Sequence, residues 1–300
     1  MRLATYSPLP SGTPRPGLVT ADKRVIDIPA ALGASDDTNT VIGIIRAGAP
    51  MLDKLRALAT KPGASGVDLT DVKLHAPIPR PSKNVFCVGW NYLPHFEEGA
   101  KKLQEDRKLP EWPVFFSKAP TTVIGPYDTV PFHSQVSNQC DWEVELGVII
   151  GPGGKDITQA DAMQHVWGYT VVNDVSWRDL QRRHGGQWHK GKSLDGSCPM
   201  GPWIVTADEL DAANLDVACR VNGVVKQESN TKHMYFKIPR LVSDLSAGMT
   251  LEAGDIISTG TPEGVGFART PPEFMKPGDL LETEIEGIGV MRNKVVDGKP

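Results

Sequence analysis

The sequence is poor in cysteine. Cys87, Cys140, Cys198 and Cys219 are the four in 300 residues, and they lie 53, 58 and 21 positions apart. No pair has the Cys-x-x-Cys spacing of a metal or redox motif, and reduced, structural thiols of a cytosolic protein are the best reading. Long hydrophobic runs are missing. The longest, such as 146–150, fall far short of the roughly 20 residues that cross a bilayer, and the first residues carry no extended apolar segment of a signal peptide. A cytoplasmic protein without a membrane partner is expected. Charge of one sign is also missing: 32 Lys and Arg stand against 36 Asp and Glu, a net −4. Without a basic block there is no electrostatic footprint for nucleic acid. No internal repeat or low-complexity tract is present.

What is present is an ordinary globular balance, 40% hydrophobic and 23% charged, in a chain long enough for one large or two modest domains. Glycine (30) and proline (25) are plentiful without any Gly-X-Y period, which favours many short strands over a helical bundle. Residues 1–73 read as a small N-terminal domain. It contains a hairpin over 17–27 that turns at Ala21, Asp22 and Lys23, and a helix with Met51, Leu52, Leu55 and Leu58 on one face that Lys61, Pro62 and Gly63 stop. Three prolines make 74–82 an extended connector. A larger domain, 74–300, follows, with strands expected at 85–88, 142–150, 168–172, 203–206 and 217–221. Gly-Asp turns precede two more, near 256 and 280. Helices are few: Thr158 and Asp161 form a capping-box pattern, and Ser176 is placed to cap a helix over 177–183. The fold class is mainly β with short helices (α+β).

Several patterns carry chemistry. Alternation along a strand puts Trp142, Val144 and Leu146 on one face, and Glu143 and Glu145 on the other. Two carboxylates at i and i+2 are spaced to converge on one cation, although a half-exposed strand with a polar outer face fits the same pattern. Asn173 and Asp174 end an apolar strand just before a helix. This is a frequent position for an active-site carboxylate and equally for a plain turn. Glu143, Glu145 and Asp174 together are hard oxygen donors, suited to Mg²⁺, Mn²⁺ or Ca²⁺ rather than Zn²⁺. Pro94 suits a first helical turn, which places His95 and Glu98 at i and i+3 on one face. A carboxylate that orients an imidazole makes a general base, and such pairs also occur on ordinary helix surfaces. His133, His165, His184, His189 and His233 have no comparable partner. Lys192, between Gly191 and Ser193, is placed to hold an oxyanion or a substrate carboxylate. The Gly/Pro-rich loop of 259–266 presents Thr261 and backbone N–H groups to an anion.

Taken in order, Gly89-x-Asn91-Tyr92-x-x-His95-x-x-Glu98, Glu143-x-Glu145-Leu146, Asn173-Asp174-x-Ser176-x-Arg178-Asp179-x-Gln181, Gly191-Lys192-Ser193-x-Asp195-Gly196 and Gly260-Thr261-Pro262-x-Gly264-Val265-Gly266 resemble the fumarylacetoacetate hydrolase family over about residues 79–293. The resemblance implies a β-roll of mixed sheets with a small N-terminal domain, commonly a homodimer. It also implies a metal triad of Glu143, Glu145 and Asp174, most simply with Mg²⁺. His95 and Glu98 become a catalytic dyad on a mobile lid, Lys192 a catalytic lysine, and Gln181 and Thr261 substrate contacts. The family's eponymous enzyme has a fourth carboxylate seven residues before its histidine. Here that position is Val88, which places the chain in the three-carboxylate subgroup of acylpyruvase type. Trp177, where relatives carry a small residue, is expected to alter the pocket. The implied activity is metal-dependent hydrolysis of a C–C bond in a small 2,4-diketo acid such as an acylpyruvate, as in aromatic catabolism. The alternatives are an oxaloacetate-type decarboxylase or a hydroxy-dienedioate isomerase, and a non-enzymatic binding protein is the remote one.

Overall fold

In the computed structural model, residues 1–60, 66–106 and 108–298 are described. A twelve-stranded sheet forms the spine. Through its centre run Arg2–Pro8, Cys198–Thr206, Val166–Asn173, Val144–Ile150, Ile256–Ser258, Val85–Gly89 and Val114–Lys118, each bonded to the next. Neighbours on this path are antiparallel except Ile256–Ser258 with Val85–Gly89, which is parallel. A second sheet of five strands is built on Asp216–Val221, Val224–Asn230, Leu280–Ile285 and Gly289–Asp297, with Val130–Phe132 parallel at one edge. Cys140–Asp141 and Ser176–Trp177 form a separate two-stranded ladder. The protein is therefore mainly β with short helices and mixed sheets, as its composition predicts.

The central strand Val144–Ile150 is buried along its whole length. Val144, Leu146 and Val148 pack in one core with Val217, Leu281 and Met291 of the five-stranded sheet. Ile149 packs in another with Ile44, Ile45 and Leu55 from the N-terminal helices. With both faces covered, the glutamates at its head have no solvent-exposed face to occupy, so the half-exposed reading of this strand does not hold. The N-terminal segment adds its strands to the same spine: Arg2 and Leu3 pair with Val205 and Ile204.

The predicted hairpin forms between Arg15–Val19 and Arg24–Asp27. The helix Gly48–Thr60 buries Met51, Leu55 and Leu58, with Leu52 half-buried beside them. Its predicted stop at Lys61, Pro62 and Gly63 lies outside the described residues. Two caps differ from expectation. Thr158 and Asp161 do bond to each other, at 2.7 Å between side chains, but only a 3-10 turn, Ala162–His165, follows. Ser176 caps nothing: it lies in a strand and donates to the Asp174 carbonyl at 2.8 Å, and the helix begins at Arg178. Among the described residues no helix is long and apolar enough to cross a membrane.

Candidate active site

Strand register builds the acidic cluster. Val144–Ile150 and Val166–Asn173 are antiparallel with Val144 opposite Asn173. Glu143 and Asp174, each one residue beyond the ladder, therefore lie side by side, joined by Asp174 N–H to the Glu143 carbonyl at 2.9 Å. Glu145 enters from the same strand two residues on. Carboxylate oxygens of Glu143, Glu145 and Asp174 lie within 4.8 Å of one another, all three residues buried. Burial, then the charges of Asp174 and Glu143, push the Glu145 carboxyl well above its ordinary range. Glu145 is held in place by Ser258 Oγ–H at 2.5 Å and Gly260 N–H at 2.9 Å.

Three buried cations surround the other acids. Lys192 Nζ donates to Glu143 Oε2 and Asp174 Oδ2, both at 2.7 Å. Lys118, wholly buried, lies 2.8 Å from Asp174 Oδ1 and also donates to the Lys192 carbonyl. Arg178 reaches Asp141 Oδ2 through Nε at 2.7 Å and lies 2.7 Å from Glu143 Oε1. Burial raises the Glu143 carboxyl, but Lys192, Arg178 and His95 outweigh it and bring it down to about 2. Burial likewise lowers the Lys192 ammonium, yet Asp174 and Glu143 win and hold it above its usual value. Asp141, Glu143, Glu145 and Asp174 thus face Lys118, Lys192 and Arg178, all buried. With all four acids ionised one negative charge is in excess, and among the described residues Glu145 has no ion pair. An all-oxygen donor set with excess negative charge fits a divalent cation of the Mg²⁺ or Mn²⁺ type.

The histidine arrives on the helix Leu93–Leu103, whose Pro94 sits in the first turn. His95 Nδ1 and Glu98 Oε1 are 2.8 Å apart. Gly264 N–H donates to Glu98 Oε2 at 3.0 Å, and Lys102 Nζ to the Arg269 carbonyl at 2.8 Å, so the helix is docked on the 259–269 loop. Gly264 can do this because its φ is +96° and a Cβ there would meet the Lys226 carbonyl oxygen at 2.2 Å. An ionised carboxylate only accepts, so His95 Nδ1 carries a proton toward Glu98, and Nε2 is the nitrogen that bears the lone pair of the neutral imidazole. On the opposite side Gly191 lets two short helices touch backbone to backbone, since a Cβ would lie 2.3 Å from Gln181 N. That contact sets Lys192.

One cavity of about 430 Å³ is lined by His95, Glu143, Glu145, Gln181, Lys192 and Thr261, with Val88, Trp90, Phe116 and Trp188 as its apolar wall. Asp174 completes the acidic cluster beneath it, and Glu98 stands behind His95. All eight residues singled out in the sequence therefore converge on one place. Trp177 does not line the cavity: it is fully buried against Phe132, with ring centroids 5.4 Å apart. The expectation that it reshapes the pocket is overturned, because its strand turns the side chain into the core. Lys118, Asp141 and Ser258 were missed. Lys118 closes an apolar strand, Val-Phe-Phe-Ser-Lys, a position that reads as a solvated strand end until Asp174 is folded against it. Arg178 stood inside a quoted motif, three residues before Gln181, without a role. It binds Gln181 Oε1 at 3.2 Å.

A family model, fumarylacetoacetate (FAA) hydrolase C-terminal, matches residues 84–296. The chain belongs to the fumarylacetoacetate hydrolase family. Within the family it is 43% identical over 291 residues to the oxaloacetate tautomerase YisK of Bacillus subtilis, covering 93% of this chain and 95% of that one. Among solved structures, the fumarylacetoacetate hydrolase of psychrophilic Exiguobacterium antarcticum is similar with a TM-score of 0.83 at 39% identity, over 99% of both chains. The maleylpyruvate hydrolase of Sphingobium sp. SYK-6, in complex with manganese(II) and pyruvate, gives a TM-score of 0.80 at 31% identity over the whole of both chains. The tautomerase and the maleylpyruvate hydrolase are named for small organic acids, and this chain is an enzyme of their family.

Proposed function

We propose that this chain is a divalent-cation-dependent tautomerase that interconverts the keto and enol forms of a small 2-oxo diacid, oxaloacetate or a close analogue. The observation that carries it is the His95–Glu98 pair facing the acidic cluster across one cavity, in a chain similar over nearly its full length to an oxaloacetate tautomerase. The sequence reading put C–C hydrolysis first. The relatives move proton transfer, which needs the same base but no attacking water, ahead of it.

Glu143, Glu145 and Asp174 hold the cation, Mg²⁺ or Mn²⁺, which when bound supplies Lewis acidity at the 2-oxo group. Glu98 fixes the imidazole, and His95 Nε2 takes a proton from the carbon next to the 2-oxo group. The C–H electron pair becomes the C=C bond, the C=O π pair moves onto the oxo oxygen, and that oxygen takes back from the His95 imidazolium the proton removed from carbon, which restores neutral His95. Lys192 uses two N–H groups on Glu143 and Asp174, leaving its third to offset charge on that oxygen. The helix Leu93–Leu103 acts as a lid that excludes water. We further propose a homodimer as the assembly and the cytoplasm as the location, with 1–73 as an N-terminal part that shares its sheet with 74–300.

The test follows keto–enol interconversion of oxaloacetate by ultraviolet absorbance, with Mg²⁺, with Mn²⁺ or with EDTA. Pyruvate release from oxaloacetate and from acetylpyruvate is measured in parallel. Metal-dependent interconversion that outpaces any pyruvate release supports the tautomerase. Acetylpyruvate cleavage as the faster reaction returns the chain to the hydrolases, the second reading, which the maleylpyruvate hydrolase fold neighbour favours.

A further inference from the structure

Thr261 lines the cavity, and its hydroxyl has a direction set by a residue of the other sheet. Gln227 lies in the strand Val224–Asn230 and is 1% exposed. Its Oε1 accepts from the Val144 N–H at 3.0 Å, between the two glutamates of the acidic cluster. Its Nε2 donates to the Pro262 carbonyl at 2.9 Å and to Thr261 Oγ1 at 2.8 Å. The amide cannot be turned over: a backbone N–H only donates and a carbonyl only accepts, so both ends of Gln227 are fixed by groups of fixed role. Thr261 Oγ therefore receives a hydrogen bond from Gln227. Among the described residues Thr261 has no acceptor for its own proton, and it is 3% exposed.

We infer that Gln227 is a positioning residue for substrate: by donating to Thr261 Oγ it commits the Thr261 hydroxyl to donate into the cavity, to an anionic oxygen of the bound acid. The inference deepens the proposed function and rests on its reading that the cavity takes a small organic anion. It also explains a long reach across the fold. The 260–266 loop is pressed against the strand, with Arg269 donating to the Lys226 carbonyl at 2.8 Å, so a residue outside every motif quoted above can govern a hydroxyl inside one.

The test compares Gln227→Glu, Gln227→Met, Thr261→Val and the Gln227→Glu/Thr261→Val pair. Calorimetry gives Kd for pyruvate and for oxalate with Mn²⁺ present, and steady-state kinetics gives KM and kcat for oxaloacetate. A glutamate accepts both from Val144 N–H and from the Thr261 hydroxyl, so it takes the proton away from the substrate. A methionine loses all three bonds of Gln227 but leaves the hydroxyl able to turn toward the cavity. Gln227→Glu and Thr261→Val should each weaken anion binding about tenfold or more, the worth of a hydrogen bond to a charged group. Gln227→Met should weaken it about threefold or less, with kcat moved less than KM in each case. In the Thr261→Val background Gln227→Glu should add little. A purely structural Gln227 would make methionine as damaging as Thr261→Val, and that result overturns the inference. So does a full Gln227→Glu effect in the absence of the hydroxyl, or failure of the metal-loaded wild type to bind either anion. If the probes bind with the expected pattern but oxaloacetate is not turned over, the proposed function fails and this inference stands.

Discussion

His95 carries the proton, while Lys192 and Arg178 lie closer to Glu143 and hold it with direct contacts, so the loss of His95 should be felt chiefly in rate. His95→Gln is expected to lower kcat by about 10²–10⁴-fold, the usual worth of a general base, while Mn²⁺ affinity measured by calorimetry stays near wild type. Lys118 is the opposite case. It is fully buried on Asp174, and Lys118→Met leaves that carboxylate with Lys192 alone. Removing one partner of a buried pair costs about 3–5 kcal/mol, to be read as a lower urea midpoint. The four thiols should be silent. Burial is the main cause raising each above its ordinary value, that of Cys198 to about 12. The native fold thus favours the protonated thiols, a contribution complete below pH 9 and lost as the pH climbs through the raised values. Iodoacetamide at pH 8 should label none of them until the protein is unfolded.

Elements decide where the residues meet. The i, i+2 glutamates and the i, i+3 histidine pair were legible because strand and helix periodicities are local properties. The triad needed Asp174 opposite Glu143, and that depends on antiparallel register over Val144–Ile150 and Val166–Asn173, which no local pattern states. Ser176 shows the limit. A serine before a short helix reads as a cap, but here the two-residue ladder with Cys140–Asp141 holds it extended. Lys118, Asp141 and Gln227 were invisible for a related reason: each is polar within an ordinary strand, and only long-range packing buries it on the site. Gly191 is a sharper test of element packing. With a Cβ 2.3 Å from Gln181 N, Gly191→Ala must push the helix His189–Lys192 off its neighbour. A loss of about 1–3 kcal/mol is expected, as for overpacked cores, and a fall in kcat should accompany it as Lys192 moves. Thermal melts and turnover measured on the same sample would show whether the two losses travel together.

At the scale of the whole molecule, the acidic cluster is a source of instability that a ligand can remove. Glu145 has no ion pair among the described residues and a carboxyl raised by burial and by its acidic neighbours. A cation that binds the folded chain and not the unfolded one should raise the melting temperature, by a free energy of about 2.7 kcal/mol at a hundredfold excess over Kd. Differential scanning calorimetry with and without EDTA should show this, and Glu145→Gln should abolish most of it. The mainly-β class was readable from glycine, proline and strand spacing. The joining of the N-terminal strands to the central sheet was not, because Arg2 pairs with Val205, a contact that composition cannot announce.

That pairing has a consequence for how the chain is made. Arg2–Pro8 finds one neighbour close by in Arg15–Val19, but its other edge must wait for residues near 72 and near 200, and Glu145 must wait for Ser258 and Gly260. Contacts of such span make folding slow and leave early segments unpaired during synthesis. The growing chain therefore keeps edges of its central sheet open until residues 256–260 have been made, and its reactive centre assembles only after that.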